Sequence, residues 1–165
     1  MISRRQLGLI SFSVLLGAVG IWRASLARGT QKGMFEITKT DEEWKRILTP
    51  QQYYVLRTHG TEAAFSSSLD KHFAAGTYHC AGCDLPLFSS DTKYDSGTGW
   101  PSFWRPLDDA IGTSEDRSLF TVRTEVHCRR CGSHLGHVFE DGPPPTGLRY
   151  CMNGIALKFV PRPSS

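Results

Sequence analysis

A chain of 165 residues with 39% hydrophobic, 11% aromatic and 21% charged residues is long enough to bury one core, and its composition excludes both a disordered tail and a multi-span membrane protein. The formal charge of +3 comes from the front: Arg4, Arg5, Arg23, Arg28 and Lys32 precede the first acid, Glu36, and the chain from Gly33 onward is net −2. That remainder lacks the basic footprint that nucleic-acid binding requires.

Residues 1–27 read as an export signal. Arg4 and Arg5 lead into Leu7–Trp22, 16 residues without a charge, and Ser25-Leu26-Ala27 then offers the small residues a signal peptidase reads. Paired arginines before a modest apolar run resemble a twin-arginine signal, an address for already folded cargo bound for the periplasm or an equivalent compartment. An ordinary secretory signal, an uncleaved anchor and an organellar transit peptide compete with that reading. The apolar run is shorter than the ~20 residues of a comfortable span, so membrane association is expected only if the leader is retained. Residues 28–37 read as a polar linker, and the folded domain is expected over 38–161.

Thr40-Asp41-Glu42-Glu43 is a capping box followed by an apolar stripe of Trp44, Ile47 and Leu48, which predicts a short helix. Thr49-Pro50-Gln51-Gln52 repeats the start signal with proline at the first helical position. A second short helix should carry Tyr53, Tyr54, Val55 and Leu56 and stop at Gly60. Beyond about Gly76 short runs of aromatic and β-branched residues alternate with Gly, Pro, Asp and Ser, the pattern of strands and turns. Leu119–Cys128 reads as a half-buried strand, with Phe120, Val122, Thr124, Val126 and Cys128 on one face and Thr121, Arg123, Glu125 and His127 on the other. Ile155, Leu157 and Phe159 alternate with Ala156, Lys158 and Val160 in a last strand.

Five cysteines divide by spacing into Cys80-x-x-Cys83, Cys128-x-x-Cys131 and a lone Cys151. Two C-x-x-C turns close a tetrahedral four-cysteine zinc site with no position open to substrate, here clipping together segments 44 residues apart. Each pair alone could instead be a disulfide or a dithiol redox motif, although no βαβ pattern surrounds either. Cys151 lies in Arg149-Tyr150-Cys151-Met152-Asn153. If this run is extended, period two points Arg149, Cys151 and Asn153 to one side, and a neighbouring guanidinium favours the thiolate. Cys151 as a small buried hydrophobe is the plainer alternative. His134 and His137 could be metal ligands or core histidines, and Trp100 and Trp104 ordinary aromatics.

Several segments together resemble one family, the B-type peptide methionine-R-sulfoxide reductases. They are Tyr78-His79-Cys80 with Cys83; Lys93-Tyr94-Asp95-Ser96-Gly97 running into Gly99-Trp100-Pro101-Ser102-Phe103; Cys128 and Cys131 leading into His134-Leu135-Gly136-His137-Val138-Phe139; and Arg149-Tyr150-Cys151 with Asn153. The resemblance covers about residues 38–160. It implies a mainly β fold of two small antiparallel sheets with short N-terminal helices, Cys151 as nucleophile, and structural zinc on Cys80, Cys83, Cys128 and Cys131. It implies Trp100 and Phe103 at the substrate, the indole of Trp100 facing the S-methyl group. Arg149 would hold negative charge, His137 with Asn153 beside it would donate to the sulfoxide oxygen, and His134 would orient or relay. The implied substrates are oxidised proteins carrying methionine-R-sulfoxide, acted on by a monomer.

One position departs from the family. Many members carry a resolving cysteine in Gly-Cys-Gly-Trp-Pro, where this chain has Thr98. With four thiols on zinc none is spare, so a Cys151 sulfenic acid should be recycled by an external reductant, thioredoxin-like, glutaredoxin-like or a small thiol. A zinc-stapled binding module without catalysis is the reading from another class.

Overall fold

The computed structural model describes residues 35–118 and 121–163, so residues 1–27, read as the export signal, lie outside the described part. Among the described residues no helix is long and apolar enough to cross a membrane.

Both capping boxes form. In α1 (Asp41–Ile47) the Glu43 backbone N–H donates to Thr40 Oγ1 at 3.2 Å while the Thr40 N–H donates to the Glu43 carboxylate at 2.7 Å. Thr49 and Gln52 make the same exchange at the start of α2 (Pro50–Thr58). Trp44 and Leu48 are buried one turn apart, but Ile47 is 55% exposed, because a helix of two turns buries a narrower stripe than the sequence suggests. α2 does not stop on a left-handed glycine. His59 takes that conformation (φ 59°), held by a 2.8 Å bond from its Nδ1 to Glu125, and the Gly60 N–H closes the helix on the Tyr54 carbonyl.

Among the described residues nine strands make two antiparallel sheets. β1 (Gly76–Cys80), β2 (Pro86–Ser89) and β9 (Leu157–Pro161) form one, in the order β2-β1-β9. The other runs β3-β4-β8-β7-β6-β5, from β3 (Lys93–Tyr94), β4 (Ser102–Phe103), β5 (Ile111–Asp116), β6 (Arg123–Cys128), β7 (His134–Phe139) and β8 (Arg149–Met152). The core lies between the sheets and under α1 and α2, where Trp44, Leu56, Tyr78, Leu87, Phe88, Phe103, Val126, Leu135 and Met152 are at most 1% exposed. Each of these large side chains contributes about 2–3 kcal/mol by leaving water.

β6 is shorter than expected. Leu119 and Phe120 lie outside the described residues, Val122 is 67% exposed, and the face assigned to solvent buries Glu125 because His59 and His134 cover it. The expected last strand begins only at Leu157, since Gly154–Ala156 form a 3-10 turn capped by the Glu62 carboxylate. Phe35 and Ile37, assigned to the linker, pack on the domain: the Ile37 N–H donates to the Arg130 carbonyl at 2.9 Å, and the Phe35 ring meets His127 edge-on at 5.7 Å.

Candidate functional site

The two C-x-x-C segments are the same turn built twice. Each follows a strand, β1 or β6, and in each the residue after the second cysteine is left-handed (Asp84, φ 59°; Gly132, φ 66°) and donates its N–H to the carbonyl of the first cysteine at 2.8 Å. The four sulfurs lie within 4.8 Å of one another. Two approaches cross between the pairs, Cys80 to Cys131 at 3.8 Å and Cys83 to Cys128 at 3.5 Å. Thiolates about 2.3 Å from a tetrahedral zinc sit roughly 3.8 Å apart, so these residues fit that ion. Arg57 of α2 lies 4.8 Å over the Trp44 ring and donates to the Cys131 carbonyl at 3.2 Å, which seats both helices on the second turn.

Some distance along the larger sheet, Cys151 of β8 stands opposite His137 of β7 and Ser102 of β4. Period two does aim Arg149, Cys151 and Asn153 to one side. They line a cleft of about 330 Å³ together with Thr61, Thr98, Trp100, Arg123, Gly136, His137 and Phe139. Thr98 Oγ1 is 3.9 Å from the Cys151 sulfur and ends a chain of hydroxyls through Ser96 to Ser102, each link 2.8 Å.

Other predicted site residues stand elsewhere or are already engaged. Phe103 is fully buried, stacked on Phe88 at 4.4 Å, because in β4 it is Ser102 that opposes Cys151 while Phe103 opposes core-facing Tyr150. It cannot touch substrate. His134 lies behind the cleft wall, 2% exposed, with Nδ1 bonded to Glu125 at 2.7 Å, its ring edge-on to His137 at 5.4 Å, and Nε2 buried without a partner. The Asn153 carboxamide is committed at both ends, its oxygen accepting from the Glu62 N–H at 2.9 Å and its nitrogen donating to the Leu135 carbonyl at 3.1 Å, so it orients the turn after β8. Arg149 makes a bidentate pair with Asp141 at 2.8 and 2.7 Å and lies 4.4 Å over the Phe139 ring.

Electrostatics correct one expectation. Burial pushes the Cys151 thiol above its ordinary value, and the opposing pulls of Thr98, Arg149 and Ser102 do not overcome it. The resting group is the thiol, not a guanidinium-stabilised thiolate. Burial likewise lowers the His137 pKa despite the Asp116 carboxylate on its Nε2 at 2.8 Å, so the imidazole is neutral, with its proton on Nε2 and Nδ1 free to accept. Because Cys151 titrates above its usual 9.0, its alkylation by iodoacetamide should be slow at neutral pH and still rising beyond pH 9. A rate for Cys151, followed by mass spectrometry, that levels off by pH 7 would contradict this.

Sequence reasoning missed the residues that hold the site in place. Glu62 receives the Trp100 indole N–H on its carbonyl at 3.2 Å, gives its own N–H to Asn153, and caps Gly154 and Ile155 with its carboxylate, which binds Trp100 and the turn after Cys151 to one segment. Asp116 takes bonds from the Ser118 N–H and His137, which with Arg123 at 2.7 Å hold its carboxyl well below the usual range. Burial opposes charge on Glu125, yet bonds from His134, His59 and Ser114 keep it ionised. No spacing motif marks these residues. Strand pairing reveals two of them (Asp116 opposite Arg123, Glu125 opposite His137), and Glu62, in the loop after α2, shows itself only through its bonds.

The SelR domain family matches residues 48–161. The chain is 56% identical over 130 residues to the peptide methionine sulfoxide reductase MsrB of Pseudomonas putida, covering 78% of this chain and 98% of that protein. It is 56% identical over 126 residues to the protein of the same name from Leptospira interrogans (76% and 96% covered), and 57% identical over 124 residues to that of Methanosarcina barkeri (74% and 87%).

Proposed function

The chain belongs to the SelR family of MsrB-type peptide methionine sulfoxide reductases, and from that premise we propose that it reduces methionine-R-sulfoxide in oxidised proteins through attack of Cys151 on the sulfoxide sulfur. The convergence of Cys151, Trp100 and His137 on one cleft carries this reading. The S-methyl group packs on the flat indole of Trp100, which its bond to Glu62 holds still, and the oxygen lies toward His137. Neutral His137 takes the Cys151 proton as the sulfur attacks and returns it to the departing oxygen. The attack joins the two sulfurs; the hydroxyl then passes from the methionine sulfur to Cys151 as the S–S bond breaks with its electron pair returning to methionine, which leaves. Cys151, oxidised to a sulfenic acid, has taken up the oxygen.

The test offers each methionine sulfoxide epimer to the purified chain with dithiothreitol. Consumption of the R epimer alone is expected. Consumption of the S epimer, or of neither, overturns the proposal.

Cys80, Cys83, Cys128 and Cys131 would hold zinc, which would supply structure and, with four thiolates around it, leave no position open to substrate. An external thiol must then attack the sulfenic acid, releasing water, and a second thiol must free Cys151 from the mixed disulfide. One equivalent of substrate should therefore leave a Cys151 adduct with dimedone and no internal disulfide. Thr98→Cys places a thiol where a hydroxyl now faces the nucleophile at 3.9 Å and should divert the product to a disulfide. Finding wild-type Cys151 bridged to any of the other four cysteines refutes the external route. The reading of residues 1–27 as a twin-arginine export signal belongs to the same proposal. Undiminished export after replacing Arg4 and Arg5 by lysine removes it.

A further inference from the structure

Four non-glycine residues among those described have left-handed backbones: His59, Phe65, Asp84 and Asp109. Three have local reasons. His59 ends α2 against Glu125, Asp84 closes a cysteine turn, and a short polar residue such as Asp109 tolerates the region. Phe65 (φ 63°) has none of these: it is bulky, 66% exposed, and fills no core. A large aromatic held in an unfavourable conformation and turned to water costs stability twice, and such strain gathers at binding sites.

What holds Phe65 is the cleft's own loop. Its N–H donates to the Gly99 carbonyl at 2.8 Å, and its ring lies on Gly99, where a β-carbon would fall 2.8 Å from the ring and 2.7 Å from the Phe65 nitrogen. Gly99 (φ 89°) separates Thr98, which faces the nucleophile, from Trp100, the proposed methyl wall. Three residues earlier in the same turn, the Glu62 carbonyl takes the Trp100 indole N–H. Two bonds thus fix the segment bearing this exposed ring, through the backbone of Glu62 and Phe65, to the loop that carries one wall of the cleft.

We propose that Phe65 is a docking platform for the polypeptide on one side of the oxidised methionine, receiving an apolar side chain near the sulfoxide in sequence. The inference rests on the reductase reading above and extends it to substrate selection. A methionine sulfoxide side chain has room in the cleft of about 330 Å³, so the chain that bears it must cross the rim, and Phe65, just outside the lining, is bonded to Gly99 between the lining residues Thr98 and Trp100. Free methionine sulfoxide has no flank to offer it.

The experiment compares Phe65→Ala, Phe65→Gly and Phe65→Tyr on two substrates, free methionine-R-sulfoxide and a peptide carrying the same sulfoxide between leucines. For the alanine and glycine variants KM for the peptide should rise about three- to tenfold with kcat held, as loss of one aromatic contact predicts, while kcat/KM for the free amino acid stays within about twofold. Phe65→Tyr should restore the peptide KM. Phe65→Gly should melt no lower than wild type, because glycine adopts the left-handed backbone without penalty. Parallel losses on both substrates, or no change on the peptide, overturn the inference and leave the reductase reading standing. A wild type that reduces neither substrate overturns both.

Discussion

Cys151→Ser abolishes sulfoxide reduction and leaves the fold and the metal content as they were. Serine fits the site: it is isosteric, it sits between Ser102 and His137 in the register of β8, and the Thr98 hydroxyl beside it can bond to its oxygen as well as to sulfur. Cys151 contributes no bond that the sheet depends on, so the melting temperature should move little. Chemistry has no such substitute. A serine hydroxyl is a poorer nucleophile than a thiol and forms no sulfenic acid, so kcat should fall by about a thousandfold or more, the scale on which loss of a covalent nucleophile is felt. Residual activity above a few per cent in the stoichiometric assay with dithiothreitol would place the nucleophile elsewhere. The four remaining cysteines are the only other candidates in the chain, and none of them lines the cleft.

Local signals survive the passage from sequence to structure better than distant ones. The capping boxes at Thr40 and Thr49 and the two C-x-x-C turns each close within a few residues, and the sequence carries them intact. Cys151 stands out by arithmetic, as the thiol without a partner, and the alternation around it holds because β8 runs through the sheet without a bulge. Phe103 is misplaced by sequence because proximity to Trp100 along the chain says nothing of which face of β4 it occupies; its burial against Tyr78 and Phe88 is a matter of the other sheet. His59, Glu62, Asp116 and Glu125 are invisible for the same reason. The bonds that place them span the fold, 66 residues from His59 to Glu125, 21 from Asp116 to His137 and 93 from Glu62 to Ile155, and a hydrogen bond at that separation leaves no periodicity to read. The Cys151 thiol titrates in the direction opposite to the sequence expectation since Arg149 is not a free charge: Asp141 and the Phe139 ring already occupy it, and burial outweighs what is left.

Cys80→Ser and Cys128→Ser should cost about 4 kcal/mol or more, or prevent folding, and should release the metal. The size follows from where the two cysteine turns lie. One belongs to the small sheet, between β1 and β2, and the other to the large sheet, between β6 and β7, so a single ion held there would tie the two sheets together at a point where the sequence separation is 44 residues. Loss of one ligand leaves three sulfurs gathered within 4.8 Å without the charge that makes their approach favourable, and Arg57, which lies over Trp44 and bonds to Cys131, and Ser133, bonded to the Cys131 sulfur, lose their support. Elemental analysis of wild type should give about one zinc per chain, falling well below that in either variant, and a chelator should lower the wild-type melting temperature towards theirs. The gathering of all four sulfurs within 4.8 Å, with cross-pair approaches of 3.5 and 3.8 Å, favours one shared ion over two redox dithiols, which have no need to meet. A metal-free wild type that carries Cys80–Cys83 and Cys128–Cys131 disulfides and retains full activity would remove the staple, and would make those pairs, once reduced to dithiols, candidates for reducing Cys151.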